Sequence, residues 1–185
     1  AVARSNRLPI LFLPGDTYAN RMPDPVLQQV EHFNNPGITV NDAFKPVTRY
    51  FDRITRPEQI IQSFPTAVQT MLDPADCGPA CIALSQDIQG QTFDYPEEFF
   101  KETIHTIRRP RPDEFQIKIA AEKIKSSKNP IIISGGGVFY SDAMEELSKF
   151  AIKHNIPVTQ TVMGYSTMKR DHSHYAGQIG GLGGK

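Results

Sequence analysis

The sequence predicts an α/β protein of parallel sheets flanked by helices, organised as two consecutive groups of elements. Three short apolar runs bordered by proline or glycine turns have the pattern of strands in parallel sheets: Leu8–Leu13, Ala80–Leu84 and Ile131–Ile133. Apolar residues at helical spacing lie between these runs, and strand–helix alternation is typical of a parallel sheet covered on both faces. A stretch of charges and X-Pro steps separates the two groups.

In the first group, Leu8–Leu13 is predicted to be a strand buried on both faces, because its apolar run is continuous. An Asp-Pro pair at 24–25 predicts the start of a helix, with proline in the first helical position. Thr55 and Glu58 have the spacing of a capping box for a second helix. Pro65 should kink or split that helix. The strand Ala80–Leu84 then completes the group.

The second group follows a predicted linker at 93–112, which separates partial domains at 1–92 and 113–185. Three arginines in this linker are explained either by a solvated hinge or by an anion site: Arg108, Arg109 and Arg111.

Apolar spacing over Phe115–Ile124 predicts the first helix of the second group, and Ile131–Ile133 the strand after it. Asp142 and Glu145 form a predicted capping pair for the next helix. A weaker strand is expected at Ile156–Thr159. The apolar runs of the two groups are expected to lie in separate sheets.

Composition excludes several classes of function. The 20 basic and 20 acidic residues cancel, so a nucleic-acid partner is not expected, and no apolar run is long enough for a membrane. Cys77 and Cys81 are interpreted as reduced thiols of a cytoplasmic protein, in a loop and a buried strand respectively. Because the chain begins with Ala1 and ends with a glycine-rich run, we expect a fragment of a longer protein.

A Ser-Gly-Gly-Gly turn at 134–137 follows the third apolar run and precedes a helix, which is an arrangement that brings backbone N–H groups near a phosphate. Gly135, Gly136 and Gly137 are therefore candidate cofactor contacts. A tight turn without a ligand is the alternative, because the complete dinucleotide fingerprint is absent.

Polar residues after the first and second apolar runs lie where open parallel sheets bind their ligands. They are explained either as substrate contacts or as caps and surface residues: Tyr18, Asp24, Gln28, Gln29, Ser85 and Asp87. No GxSxG motif occurs, which argues against an α/β-hydrolase.

A series of motifs occurs in a fixed order along nearly the whole chain: Leu8–Asp16, Asp24–Gln29, Lys45–Pro46, Asp52–Glu58, Gly78–Pro79, Ser85–Asp87, Asn129–Gly137, Asn155–Val158, Met163–Gly164 and Gly177–Gly180. Together they resemble the acetohydroxyacid-synthase-like superfamily of thiamine-diphosphate enzymes. The first group resembles the C-terminal half of the pyrimidine-binding domain, and the second the N-terminal half of the Rossmann-like central domain. Pro23–Val30 and Phe51–Gln59 look closest to the trihydroxycyclohexane-1,2-dione hydrolase branch of myo-inositol catabolism.

This resemblance implies a cytoplasmic, homo-oligomeric parent enzyme that uses thiamine diphosphate and Mg²⁺ to open a cyclic dione to 5-deoxy-glucuronate. A cofactor carbanion would attack one carbonyl, and hydroxide addition to its neighbour would precede carbon–carbon cleavage. The alternatives are an acetolactate-synthase-like carboligase fragment and a small nucleotide-binding α/β module.

The family's cofactor-activating glutamate would lie before Ala1, and its magnesium and diphosphate motif after Lys185. The resemblance therefore implies no catalytic residue and no metal ligand in this chain, which is expected to be inactive alone and to bind no cofactor. Gln28 and Lys45 correspond to substrate-lining residues, and Gln29 and Arg53 are further pocket candidates.

FAD is not expected. Gly135–Gly137 match a turn that touches FAD in flavin-binding relatives, but Gln178-Ile179 stands where those relatives have Met-His. If each sheet is incomplete in this chain, apolar sheet faces should be exposed and the chain should self-associate.

Overall fold

A computed structural model describes residues 1–22, 32 and 34–181 of the chain. The chain divides into two compact units, Ala1–Arg108 and Arg109–Lys185. Each unit contains one parallel sheet, so the predicted α/β class with parallel sheets is confirmed. The division falls within the stretch predicted to be a linker, while the assignment of the two units to half-domains remains a prediction.

The first unit has four strands and two α-helices in its described residues: α1 Val2–Ser5, β1 Leu11–Phe12, β2 Gly15–Asp16, β3 Tyr50–Ile54, α2 Ile60–Leu72 and β4 Ala80–Ser85. Three 3₁₀ segments accompany them: Val40–Val47, Pro57–Gln59 and Glu97–Phe100. Strand β4 pairs in parallel with β1 and β2 along one side and with β3 along the other. The carboxyl ends of β2, β3 and β4 therefore lie along the same edge of the sheet.

The core of the first unit lies between β3, β4 and α2, where Ile54, Ala67, Ala80 and Ile82 are at most 2% exposed. The prediction that Leu8–Leu13 is buried on both faces is wrong, since Phe12 and Leu13 are 43% and 50% exposed. Pro14 interrupts the run between β1 and β2, and in the described residues these two short strands pair with β4 alone.

Helix α2 begins differently from the prediction. The side chain of Gln59 accepts hydrogen bonds from the backbone N–H groups of Thr55 and Arg56, so the predicted Thr55–Glu58 capping box is wrong. Pro65 does not split the helix, which is continuous over Ile60–Leu72. Because Pro65 is exposed, water can reach the carbonyl that its missing N–H leaves without a helical donor.

The second unit has three strands and three α-helices in its described residues: α3 Glu114–Ser126, β5 Ile132–Ser134, α4 Gly137–Tyr140, α5 Met144–His154, β6 Val158–Gln160 and β7 Tyr175–Gln178. A 3₁₀ segment lies at Val162–Gly164. Strand β6 is central, with β5 and β7 parallel on either side. Ala151, Val158 and Met168 form the buried core.

The predicted capping pair at the start of α5 is wrong. Asp142 has a φ of 54° and lies one residue before the N-cap Ala143, which makes no side-chain capping bond. Its carboxylate is instead 3.6 Å from the guanidinium of Arg109. Helix α3 agrees with its predicted range, and Asp113 caps it by accepting a hydrogen bond from the N–H of Gln116.

Strands β2, β3 and β7 and one compact turn were not predicted. Strands β3 and β7 contain polar or small residues in place of a continuous apolar run. The turn at 93–100 holds an aromatic cluster, in which the ring centroids of Tyr95 and Phe99 are 5.8 Å apart. The Tyr95 hydroxyl donates to the carbonyl of Pro57, so this part of the stretch packs on the first unit.

Candidate functional site

The carboxyl edge of the first sheet is the candidate functional site. Asp16 at the end of β2 lies beside Ser85 at the end of β4, and both are almost completely buried, at 2% and 1% exposed. The loop after β2 folds over this edge, because the Asp87 carboxylate accepts hydrogen bonds from the backbone N–H groups of Ala19 and Asn20. Ser85 is therefore a core residue and Asp87 a loop anchor.

Arg53 connects three segments at this edge. Its Nε is 2.5 Å from Oδ2 of Asp16, and its Nη2 is 2.8 Å from Oδ2 of Asp42. The same Nη2 donates to the Thr39 hydroxyl at 2.9 Å. Burial lowers the pKa of the Arg53 guanidinium, but the two carboxylates outweigh it and raise that pKa overall. We call Asp16, Thr39, Asp42, Lys45 and Arg53 the Arg53 cluster.

The 3₁₀ segment Val40–Val47 brings Asp42 and Lys45 into this cluster. Thr39 and Asp42 form a reciprocal capping box, in which the Asp42 carboxylate accepts from the Thr39 N–H at 2.7 Å. The buried amide of Asn41 donates to the Gly15 carbonyl at 2.7 Å, which ties the segment to β2. The start of the segment is therefore fixed against the sheet edge.

Asp42 carries a strongly stabilised negative charge. Burial raises the pKa of its carboxyl, but hydrogen bonds from Lys45, the Thr39 N–H and Arg53 together lower that pKa to about 2. Lys45 Nζ lies 2.6 Å from Asp42 Oδ1 and 5.3 Å from the centre of the Phe51 ring. Because the Lys45 side chain is 53% exposed, its ammonium can meet a ligand from solvent.

Three other residues predicted for this edge have no described position relative to Lys45. Gln28, Gln29 and Asp24 lie outside the described residues. The contacts of Asp16 and Asp42 with Arg53 were not predicted from the sequence. The available signal was an acid directly after a buried run and its turn, since strand ends of this kind meet at one sheet edge.

At the carboxyl edge of the second sheet, Gly135–Gly137 connect β5 to the four-residue helix α4. The residues beside this turn are neutral. Gln160, at the end of β6, is 1% exposed, and its Nε2 donates to the Met168 carbonyl at 2.8 Å.

Thr167 is the centre of this neutral arrangement. Its hydroxyl donates to the Gly164 carbonyl at 2.7 Å, so the Ser134 hydroxyl, 2.6 Å away, must donate to Thr167. The amide of Gln160 is also a donor to the same oxygen, at 3.3 Å. We call Ser134, Gln160, Gly164 and Thr167 the Thr167 network.

Comparison with known proteins gives a family match in the second unit. Residues 117–185 match the family model for the thiamine pyrophosphate enzyme, central domain. This stretch is therefore similar to such a central domain. The fold of the whole chain is similar to that of a solved structure from Mycobacterium smegmatis, described as a thiamin diphosphate-dependent enzyme, with a TM-score of 0.73. That structure is 21% identical, and the match covers 96% of this chain and 32% of the other.

The chain is similar to curated relatives across both units. A 3D-(3,5/4)-trihydroxycyclohexane-1,2-dione hydrolase of Bacillus licheniformis is 49% identical over 98% of this chain. One from Clostridium perfringens is 50% identical over 99%. The chain spans 28% and 29% of these relatives' lengths. The resemblance inferred from the sequence is therefore confirmed.

The remaining candidate residues do not assemble into a second polar site. Arg108, Arg109 and Arg111 are exposed, and within the described residues no group of three or more His, Cys, Asp or Glu side chains could hold a metal ion. Cys77 and Cys81 are free and buried, and burial raises the pKa of the Cys81 thiol to about 11. No described helix is both long and apolar enough to cross a membrane.

Proposed function

We propose that this chain forms part of a thiamine-diphosphate-dependent hydrolase that opens 3D-(3,5/4)-trihydroxycyclohexane-1,2-dione to 5-deoxy-glucuronate. The observation that supports this proposal is the near-50% identity to hydrolases of that name, which extends over 98–99% of the chain. A match confined to the central domain would have supported only the cofactor class. Because the match extends through the first unit, it includes the part of the protein that we propose to face the substrate.

Within that enzyme, we assign substrate contact to the carboxyl edge of the first sheet. Lys45 has an exposed ammonium with N–H groups beyond the one directed at Asp42, and these can donate to a carbonyl or hydroxyl oxygen of the dione. Gln28 remains a predicted second contact. In the central domain, the backbone of Gly135–Gly137 is the predicted cofactor contact, since it lies at the carboxyl end of β5.

The described residues do not offer the anchors that thiamine diphosphate and Mg²⁺ require. Asp16 and Asp42 are engaged by Arg53 and Lys45, and no metal-binding cluster forms among the described side chains. When bound, the cofactor supplies a carbanion equivalent that can add to a carbonyl carbon. We propose that this chain orients the substrate. The groups that anchor the cofactor would then lie in other parts of the enzyme.

We also propose a cytoplasmic homo-oligomer. In the central domain, Ile131 and Ile133 are each 57% exposed beside the sheet, and apolar surface of this kind favours association. Light scattering of the 185-residue chain should therefore give a mass above that of a monomer. A monodisperse monomer at micromolar concentration would contradict the association.

The function is tested by expressing the complete protein encoded with this chain, with the 185-residue chain as control. With thiamine diphosphate and Mg²⁺, the complete protein should consume the dione and release 5-deoxy-glucuronate, detected by mass spectrometry. The 185-residue chain should show neither turnover nor cofactor binding by calorimetry.

Two outcomes would contradict the proposal. If the complete protein leaves the dione unchanged but joins two molecules of pyruvate with loss of CO₂, it is an acetolactate-type carboligase. If the 185-residue chain itself binds thiamine diphosphate in the micromolar range, the cofactor-anchoring groups have been placed wrongly.

A further inference from the structure

The Arg53 cluster contains a continuous line of contacts from the sheet to an exposed lysine. It begins at Asp16, whose side chain is 1% exposed and whose Oδ1 also accepts the N–H of Thr17 at 2.9 Å. Arg53 then joins Asp16 to Asp42, and Asp42 joins Arg53 to Lys45. The buried end is fixed by the sheet, and the other end is open to solvent.

The two oxygens of Asp42 have different partners. Oδ2 accepts from the Thr39 N–H at 2.7 Å and from Arg53 Nη2 at 2.8 Å. Oδ1 is 2.6 Å from the Lys45 ammonium. Because Oδ2 is held by two donors from different segments, the direction in which Oδ1 faces is fixed. The position of the Lys45 ammonium therefore depends on Arg53, although no direct contact joins the two cations.

We propose that Arg53 is a positioning residue, which sets the Lys45 ammonium for an oxygen of the cyclic dione by holding Asp42. This inference rests on the proposed function for its substrate. Arg53 suits the role because its guanidinium presents several donors in a fixed plane and reaches Asp16 and Asp42 through different nitrogens. A lysine at this position would retain the charge but not this planar bridge.

A double-mutant cycle in the complete protein tests the link. Lys45→Met should raise the KM for the dione about tenfold, and Arg53→Lys about fivefold, with smaller changes in kcat. The double variant should have the KM of Lys45→Met alone, because Arg53 acts through Lys45. Glu145→Gln, which alters the exposed pair with Lys149 in the second unit, should leave KM unchanged.

The proposal is overturned if the two KM effects multiply in the double variant, since Arg53 would then act independently of Lys45. It is also overturned if Arg53→Lys lowers only the folded fraction and leaves KM unchanged. If Arg53→Lys does not fold, Asp42→Asn replaces it in the same cycle. That substitution removes the charge opposite Lys45 while keeping the size of the side chain.

Chemical labelling separates this inference from the proposed function. Acetylation of Lys45 by an N-hydroxysuccinimide ester, followed by peptide mass spectrometry of the 185-residue chain, needs no turnover. Arg53→Lys should change the labelling rate of Lys45 by at least about twofold and leave that of Lys149 unaltered. If labelling responds but the complete protein does not open the dione, the function fails and the positioning link stands. An unchanged Lys45 rate refutes the link.

Discussion

The two sheets of this chain end in opposite kinds of chemistry at their carboxyl edges. In the first unit, Arg53 is shared by the carboxylates of Asp16 and Asp42. In the second unit, Gln160 and Thr167 use only neutral hydroxyl, amide and carbonyl groups. Asp16 at the first edge and Gln160 at the second are both almost completely buried, so the difference lies in how their polar groups are satisfied.

This contrast indicates different tasks for the two edges. A charge-assisted network holds an ammonium in a set position, but it depends on pH and on every partner being present. A neutral network depends much less on pH and fixes backbone shape, because its acceptors include the carbonyls of Gly164 and Met168. This contrast is consistent with our proposal that the first edge contacts the substrate and that the turn at the second edge contacts the cofactor.

The largest expected effect comes from Gly164→Ala in the second unit. A Cβ at this position would lie 2.1 Å from the Ser134 carbonyl oxygen and 2.7 Å from its carbon, so backbone must move. We expect a loss of about 3 kcal/mol or more in the stability of the second unit. Hydrogen exchange of peptides from 109–181 measures this change separately from the first unit.

Gly135→Ala is the matched control for this substitution. A Cβ added at Gly135 would meet only Thr161, and its distance of 3.7 Å from the Thr161 hydroxyl oxygen is an ordinary contact. Protection of the second unit should therefore change by less than about 1 kcal/mol. Equal losses in the two variants would show that close backbone approach is not the reason for glycine at 164.

The next effect tests the charged edge. Arg53→Met removes the guanidinium and leaves Asp16 buried without its principal cationic partner. Breaking a buried pair from one side should lower the stability of the first unit by about 3 kcal/mol. Urea titration followed by hydrogen exchange of peptides from 34–92 measures it. Glu145→Gln, in an exposed pair, should have no measurable effect, and a comparable loss there would remove the distinction between buried and exposed pairs.

A smaller effect should appear as pH dependence. The pKa of Asp42 is lowered from 3.8 to about 2 in the folded chain, so its stabilising contribution is present above pH 4 and is lost as pH falls towards 2. Asp42→Asn should cost on the order of 1–2 kcal/mol at pH 7. The difference in unfolding free energy between the two proteins should shrink steadily between pH 4 and pH 2.

That difference isolates Asp42 from other acids in the same unit. Asp73, whose pKa is lowered by backbone hydrogen bonds from Asp76 and Ala75, titrates in both proteins and cancels. A difference that stays constant from pH 7 to pH 2 would mean that Asp42 gains no stabilisation from its ionised form. The Arg53 cluster would then be held by its neutral hydrogen bonds.

The sequence allowed the parallel sheets to be predicted because β4 and β5 lie in apolar runs bordered by turn residues. Strand β3 was missed because Asp52 and Arg53 interrupt its apolar pattern. Arg53 is also the residue that contacts Asp16 and Asp42 at the candidate site. Local pattern therefore failed at a strand residue for which we propose a functional role, and such positions are where local pattern and fold are least expected to agree.

The candidate site was only partly predictable for a related reason. Lys45 and Arg53 were identified by resemblance, but nothing local joins Arg53 to Asp16, which is 37 residues away in sequence. The connection requires the register of β2, β3 and β4, which depends on tertiary packing. Capping residues were also mispredicted, because spacing alone pointed to Glu58 before α2 and to Asp142 before α5. In the structure, Gln59 accepts the capping hydrogen bonds before α2, and Ala143 is the N-cap of α5.

The smallest expected effect returns to the neutral edge. Thr167→Val keeps the shape of the side chain but removes the hydroxyl that serves Ser134, Gln160 and the Gly164 carbonyl. We expect a loss of about 1 kcal/mol in the second unit, because the partners can regain part of their hydrogen bonding. Thr167→Ser, which retains the hydroxyl, should restore most of the protection measured by hydrogen exchange.

Since no titratable group belongs to the Thr167 network, the stability loss in Thr167→Val should be the same at pH 3 and pH 7. A loss that varied with pH in the manner of Asp42→Asn would show that the two edges do not differ in the way their charges suggest.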